Sequence, residues 1–269
     1  MAHVTIGGRE LFHQRRGTGE PLLLIQGMSG THLTWGEPFL AELAPVFDIV
    51  SYDHRGIGRS GPVHEPFMIA ELAEDALALM DAAGFQTAHV LGISMGGMVA
   101  QELALRNPDR VRTLALGCTY CGGPGSSLTS GEVANRIGGA LSSGDRELAI
   151  RTLYEVNVSA GFAADPAAYE PFREMAKALP APIPVVAMQM QAIGQHDTSS
   201  LLPELQVPTL VIHGDEDLML PVENGRMIAS LIPGARLEVL EGIGHAFWWE
   251  QPRRSAELVR EHALSSAAA

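Results

Sequence analysis

Residues 88–93 (AHVLGI) form a short, almost wholly apolar run, residues 95–106 follow with helix-forming residues, and only Ser94 separates the two. Six residues without polar alternation are what a strand buried on both faces requires, and the abrupt change to helix demands a tight turn. The same unit recurs along the chain. Residues 21–26, 47–52, 111–118, 209–213 and 236–240 read as further strands. Between 69 and 83, Ile69, Leu72, Ala73, Ala76, Met80 and Ala83 recur at three- and four-residue steps, the core face of an amphipathic helix. Strands alternating with helices pair in parallel through right-handed crossovers. The expected architecture is α/β, a mostly parallel central sheet covered by helices on both faces.

One interval breaks this rhythm. Residues 120–205 hold helix-like pieces and proline punctuation (Pro166, Pro171, Pro180, Pro182, Pro184) but no strand pattern. A structureless loop of that length has no place in a compact domain. We expect a helical cap insertion at 120–205 over one end of a core formed by 1–119 and 206–269. The Ala/Ser tail after Leu264 reads as frayed. The chain's 269 residues, 46% hydrophobic and 18% charged, suffice for one large core. A net charge of −13 without any Lys/Arg cluster argues against nucleic acid as a partner. The N-terminus shows no basic segment followed by an apolar run, and runs such as 22–25 are too short to span a bilayer. A cytoplasmic protein without membrane attachment is expected. Cys118 and Cys121 are spaced C-x-x-C, but no second pair exists to complete a four-thiolate zinc site within the chain. Two buried or pocket-edge thiols without redox role are the expectation.

The turn at 92–96, Gly-Ile-Ser-Met-Gly, matches G-x-S-x-G between strand and helix. Glycines at 92 and 96 let neighbouring backbone pass, and the helix aims its positive end at Ser94, where the Met95 N–H can bind an oxyanion. Serine needs a base, and the base needs an orienting acid. In folds with this turn the chain order is Ser, then Asp or Glu, then His. Of ten histidines, His13 falls in an early strand, His64 in a polar loop and His89 at a strand start. His245 follows the last strand in a glycine-framed loop; His262 shares the order but sits in a terminal helix. The acid belongs just past the preceding strand, where HGDED at 213–217 offers Asp215, Glu216 and Asp217. No second His/Asp/Glu cluster completes a metal site, so no metal or cofactor is expected.

QGMSG at 26–30, DHRGIGRS at 53–60, GISMGG at 92–97, HGDED and GIGHAF at 242–247 together resemble the capped α/β-hydrolase superfamily. The resemblance spans nearly all the chain outside 120–205. It implies Asp217 as the acid, because the family's acid is the third residue after the strand-end glycine. It also implies Met28 N–H as a second oxyanion donor and a structural role for the Asp53 and Arg55 turn. The family usually carries His-Gly where this chain has Gln26 and Gly27, which alters the hydrogen bonding behind the hole without removing the donor. Ser94 separates the chain from haloalkane dehalogenases and epoxide hydrolases, which need Asp there. Within the superfamily the chain is similar to aclacinomycin methylesterase-like proteins, and then to enol-lactone hydrolases, perhydrolase-like esterases and carbon–carbon bond hydrolases.

The resemblance therefore implies two-step hydrolysis of a small-molecule carboxylic ester by Ser94, His245 and Asp217. A lactonase or carbon–carbon hydrolase would use the same residues, and a ligand-binding protein on a hydrolase fold is the rival from another class. Trp35, Tyr120, Met188, Met190, Leu218, Phe247 and Trp248, with Met28 and Met95, are candidates for an apolar pocket, each with core packing as its plain alternative. A homodimer is compatible with such a chain, whose oligomeric state the sequence leaves open.

Overall fold

The apolar runs lie at the centre of an eight-stranded sheet in the computed structural model, which describes residues 2–265. The strands are β1 (Ala2–Ile6), β2 (Arg9–Arg16), β3 (Glu20–Ile25), β4 (Phe47–Tyr52), β5 (Ala88–Ile93), β6 (Val111–Gly117), β7 (Thr209–Gly214) and β8 (Arg236–Leu240). Their order is β1-β2-β4-β3-β5-β6-β7-β8. Pairing is antiparallel from β1 through β2 to β4 and parallel everywhere else. Of the β1–β2 hairpin, the pattern read above holds only an early strand at His13, which is β2, and neither β1 nor the hairpin's bounds. β1 lies at the sheet edge with most of its residues exposed, and β2 buries Leu11 and Phe12 but carries Arg9, Glu10, Arg15 and Arg16, so neither shows a continuous apolar run. The Gly7 and Gly8 pair, both at positive φ, is the local hairpin signal that marks it.

Period-two alternation sorts each central strand into two cores. Leu23 and Ile25 of β3 join Val90 of β5 and Leu114 and Leu116 of β6 on one face. Leu22 and Leu24 join Leu91, Ile93, Ala115 and Ile212 on the other. Each leucine, isoleucine or valine side chain buried this way contributes about 1.5–3 kcal/mol. Helices α1 (Glu37–Leu43), α2 (Ile69–Ala82) and α3 (Met95–Arg106) precede β6. Between β6 and β7 come α4 (Gly131–Ser142), α5 (Arg146–Asn157), α6 (Ala160–Ala163), α7 (Pro166–Ala178) and α8 (Ile183–Gly194), with no strand among the described residues. Then follow α9 (Val222–Leu231), α10 (Phe247–Glu250) and α11 (Pro252–Ser265). Residues of α2, α3 and α9 cover the first face, and those of α1, α10 and α11 the second.

The two stems of the α4–α8 insertion meet each other. Thr198 N–H donates to the Cys121 carbonyl at 2.8 Å, and its hydroxyl donates to Gln101 Oε1 of α3 at 2.7 Å. The frayed tail expected after Leu264 lies, from residue 266 on, outside the described residues. No helix of the described residues is long and apolar enough to cross a membrane.

Candidate active site

Ser94 stands between β5 and α3 at φ 55°, ψ −121°. A Cβ on Gly92 would meet the Gly96 carbonyl oxygen at 2.2 Å, and one on Gly96 would meet the Ile25 oxygen at 2.1 Å. Only glycine allows the turn to pass this closely, which is the physical content of G-x-S-x-G here. Ser94 N–H donates to the Gly117 carbonyl at 2.9 Å, and the Thr119 hydroxyl donates to the Ser94 carbonyl at 2.6 Å. The residue is half-buried. Among the described residues only Ser29, Ser94 and Cys118 are non-glycines at positive φ. All three follow the C-terminal ends of the adjacent strands β3, β5 and β6. Such strain costs about 1–3 kcal/mol per residue and collects at functional sites.

The loops after β7 and β8 open at the same edge, since Gly117 pairs with Ile212 and Gly214 with Leu240. There His245 Nδ1 lies 2.7 Å from Asp217 Oδ2, both side chains buried. A carboxylate only accepts, so Nδ1 carries a proton and donates it to Asp217. Asp217 Oδ1 accepts the N–H groups of Met219 (2.8 Å) and Leu220 (2.9 Å). Burial pushes the Asp217 pKa up, but the charge of His245 and hydrogen bonds from His213 and His245 outweigh it and hold the acid well below the usual carboxylate range. Asp215 is exposed and accepts the Gly242 N–H at 2.7 Å, while Glu216 accepts from Ala160 at 3.4 Å. Of the three carboxylates, Asp217 alone meets the histidine.

Two residues lie behind this pair: His213, to which the sequence reading gave no role, and Cys118, expected as a buried or pocket-edge thiol but not beside the acid. His213 Nε2 donates to the Leu220 carbonyl at 2.8 Å and lies 3.2 Å from Asp217 Oδ2. Cys118 is fully buried beside Asp217, and burial, then the Asp217 charge, push its thiol pKa far up. Cys118, Asp217 and His245 are the one group among the described residues whose donor atoms come within 4.8 Å of one another. The 2.7 Å between Asp217 and His245 is a hydrogen bond. Ligands of one tetrahedral ion, each about 2.0–2.3 Å from it, would stand farther apart than that. Elsewhere His89 Nδ1 contacts Thr113 Oγ1 at 2.9 Å, and buried His262 Nε2 lies 3.1 Å from the carbonyls of Leu114 and Pro208, both core positions.

The loop after β3 runs against Ser94: a Cβ on Gly27 would sit 3.0 Å from Ser94 Cβ. Gln26 is buried, and its Oε1 accepts the Gly27 N–H at 2.8 Å while its carbonyl accepts from His54 Nε2 at 2.8 Å. Gln26 thus braces the loop from behind. The N–H groups of Met28 and Met95 make no hydrogen bond among the described residues. The Asp53 turn is structural: Asp53 takes His32 N–H (2.6 Å) and Arg59 N–H (2.8 Å), and Arg55 Nε donates to buried Asp75 at 2.7 Å. Glu250 fastens the histidine loop to the insertion. Its Oε1 accepts from Gly244 N–H (2.8 Å) and Ser159 N–H (3.0 Å), and its Oε2 from the Ser159 hydroxyl (2.5 Å). Ala246 N–H donates to the Asn157 carbonyl at 2.7 Å.

The candidate pocket residues divide. Met28, Tyr120 and Met188 are partly buried and pack on the same core cluster. Trp35, Phe247 and Trp248 are core side chains instead: Trp35 stacks on Phe39 and touches Trp248, which meets Phe247 edge-on. Large rings at the foot of two loops fill the second core more readily than they line a cavity. Met190 (61% exposed) and Leu218 (46%) face solvent; α8 buries the stripe of Val185, Gln189 and Ala192 and leaves Met190 on its outer side, and Leu218 lies in the loop after β7. A largely apolar cavity of about 440 Å³, lined by Leu33, Phe162, Pro171, Met175 and Trp249 among others, opens between the 32–36 turn and the insertion, and none of Ser94, Asp217 and His245 lines it.

Residues 20–252 match the α/β hydrolase fold family. The chain belongs to this family and is a hydrolase. It is 31% identical over 249 residues to a protein of Azorhizobium caulinodans assigned as the carbamate hydrolase RutD, covering 92% of each chain. It is similar to the crystal structure of the enol-lactonase from Burkholderia xenovorans LB400, with TM-score 0.84, 27% identity, and 98% of this chain and 100% of that one covered. A thermophilic esterase from Thermogutta terrifontis is similar at TM-score 0.80 and 28% identity, with 98% of each chain covered.

Proposed function

We propose that the protein is a serine hydrolase that cleaves carboxylic esters of small to medium, mainly apolar substrates. The observation that carries the reading is the Asp217–His245 hydrogen bond at 2.7 Å, made at the sheet edge where strained Ser94 tops β5. Nε2 of His245 takes the Ser94 proton as Oγ attacks the carbonyl, and the N–H groups of Met28 and Met95 hold the oxyanion. The proton passes to the leaving alkoxide, and water, activated by the same nitrogen, then frees the acid. Asp217 orients the ring and stabilises its charged form. The helices at 120–205 act as a cap that limits substrate length, and Met28, Tyr120 and Met188 line the apolar side. The net charge of −13 disfavours dianionic substrates approaching by long-range attraction. Two free, buried thiols fit a cytoplasmic setting.

The test is trapping of an acyl group on Ser94 by mass spectrometry, with kcat/KM across p-nitrophenyl esters, aryl methyl esters, lactones, carbamates and vinylogous diketones. Short and medium esters should lead. A lactone, carbamate or diketone ahead by more than about a hundredfold would replace the ester assignment while leaving the acyl-serine mechanism to its own result. The esterase likeness favours esters; the enol-lactonase likeness makes the lactone arm the strongest competitor.

A further inference from the structure

On α8, Val185, Gln189 and Ala192 are buried at spacings of four and three, so a glutamine occupies the middle of the apolar stripe that seats this helix. Packing alone would select a hydrophobic residue there. Gln189 is 0% exposed, and its Oε1 accepts the N–H of Ser29 at 2.9 Å. Its Nε2 has no partner among the described residues, so that bond is the side chain's one polar contact.

Ser29 is one of the three non-glycines at positive φ, at 60°. Of the four consecutive N–H groups at 27–30, Gly27 donates to Gln26 Oε1 (2.8 Å), Ser29 to Gln189 (2.9 Å) and Gly30 to the Gly27 carbonyl (3.2 Å). Only that of Met28 is left over. The peptide joining Met28 to Ser29 is planar, so holding the Ser29 N–H also fixes the Met28 carbonyl and the turn of the loop. We propose that Gln189 is the positioning residue through which the cap sets the oxyanion hole: α8, seated by Val185 and Ala192, holds Ser29 in its strained conformation and thereby presents Met28 N–H beside Ser94. The hole is then complete only while the cap is down. This rests on the serine-hydrolase reading and adds a residue from a distant part of the chain to it.

The experiment compares wild type with Q189M, which removes the acceptor at similar volume and completes the apolar stripe. The melting temperature should be unchanged or higher, kcat for a p-nitrophenyl ester about tenfold lower, and KM within about twofold. An aryl trifluoromethyl ketone adds Ser94 Oγ to its carbonyl and places an oxyanion in the hole. Its affinity should fall in step with kcat/KM, while the product carboxylic acid binds as before. Q189L gives the same test if Q189M does not fold. Unchanged kcat, or ketone affinity that does not follow kcat/KM, overturns the inference. Failure of wild type to react with a fluorophosphonate at Ser94 overturns the hydrolase reading as well, so the two failures are told apart.

Discussion

α3 and α4 each have twelve residues, yet α3 buries nine of them and α4 only Ala140. α3 lies on the sheet with Met95, Met98 and Val99 in the first core and carries Ser94 at its head. α4 and α7, which buries only Tyr169, belong to the insertion and expose most of their length. Few buried apolar contacts mean a low free energy of local opening. Polar contacts hold the insertion to the frame, among them Thr198 on Gln101, Ser159 on Glu250, Asn157 on Ala246, Ser127 on Asn224, and Gln189 on Ser29. The contrast teaches a division of labour. The sheet edge stores strain at Ser29, Ser94 and Cys118 because a dense core over-determines it, and the insertion reaches that edge through single side chains.

The most damaging change to the frame is at its reacting atom. Ser94→Ala should keep the fold, read by circular dichroism, and lower kcat/KM by roughly a thousandfold or more. Substantial activity in the purified variant would move the chemistry elsewhere. Next comes Asp217→Asn, expected to cut kcat by about a thousandfold because the imidazole loses the acceptor that sets its tautomer. Asp215→Asn, altering an exposed group bonded to Gly242, should cost less than about tenfold. The reverse ranking would reassign the acid.

Stability should separate the same two regions. Trp35→Ala in the second core is expected to cost about 3–5 kcal/mol by chemical denaturation, against within about 0.5 kcal/mol for Met190→Ala on the exposed side of α8. Equal costs would break the contrast. Glu250→Ala removes the acceptor of three hydrogen bonds between the histidine loop and the insertion, and should cost about 2 kcal/mol together with a several-fold fall in kcat.

The smallest expected effect is in pH dependence. Asp217 has its folded pKa lowered, so its carboxylate contributes stability above the ordinary value near 3.8, and that stability is lost as pH falls towards the folded value. Asp217→Asn should therefore flatten the decline in stability below about pH 4. An unchanged acid slope would show that other carboxylates govern it.

Much of this was legible without coordinates. The strands at 47–52, 88–93 and 236–240 and the helix at 95–106 lie where the residue pattern put them. Chain order together with position in a glycine-framed loop after the last strand singled out the histidine that meets Asp217. The β1–β2 hairpin was not legible by apolar pattern because β1 lies exposed at the edge and the two buried residues of β2, Leu11 and Phe12, are flanked by charged and polar ones. Trp35, Phe247 and Trp248 are packed as core rings, which a sequence cannot tell from pocket rings.

What the sequence alone determined is what short-range physics controls: residue period, the glycines that permit the turn at Ser94, and the order of serine, acid and histidine. The identity of the acid among Asp215, Glu216 and Asp217 came from resemblance, and only tertiary structure joined Asp217 to His245 across 28 residues. Tertiary structure alone put Cys118 and His213 behind that pair, Glu250 between two loops, and Gln189 on Ser29 across 160 positions. The reason is physical. A turn is selected by the residues that form it, whereas a single hydrogen bond between distant segments is selected by the packing that brings them together, and it leaves no period or motif in the chain.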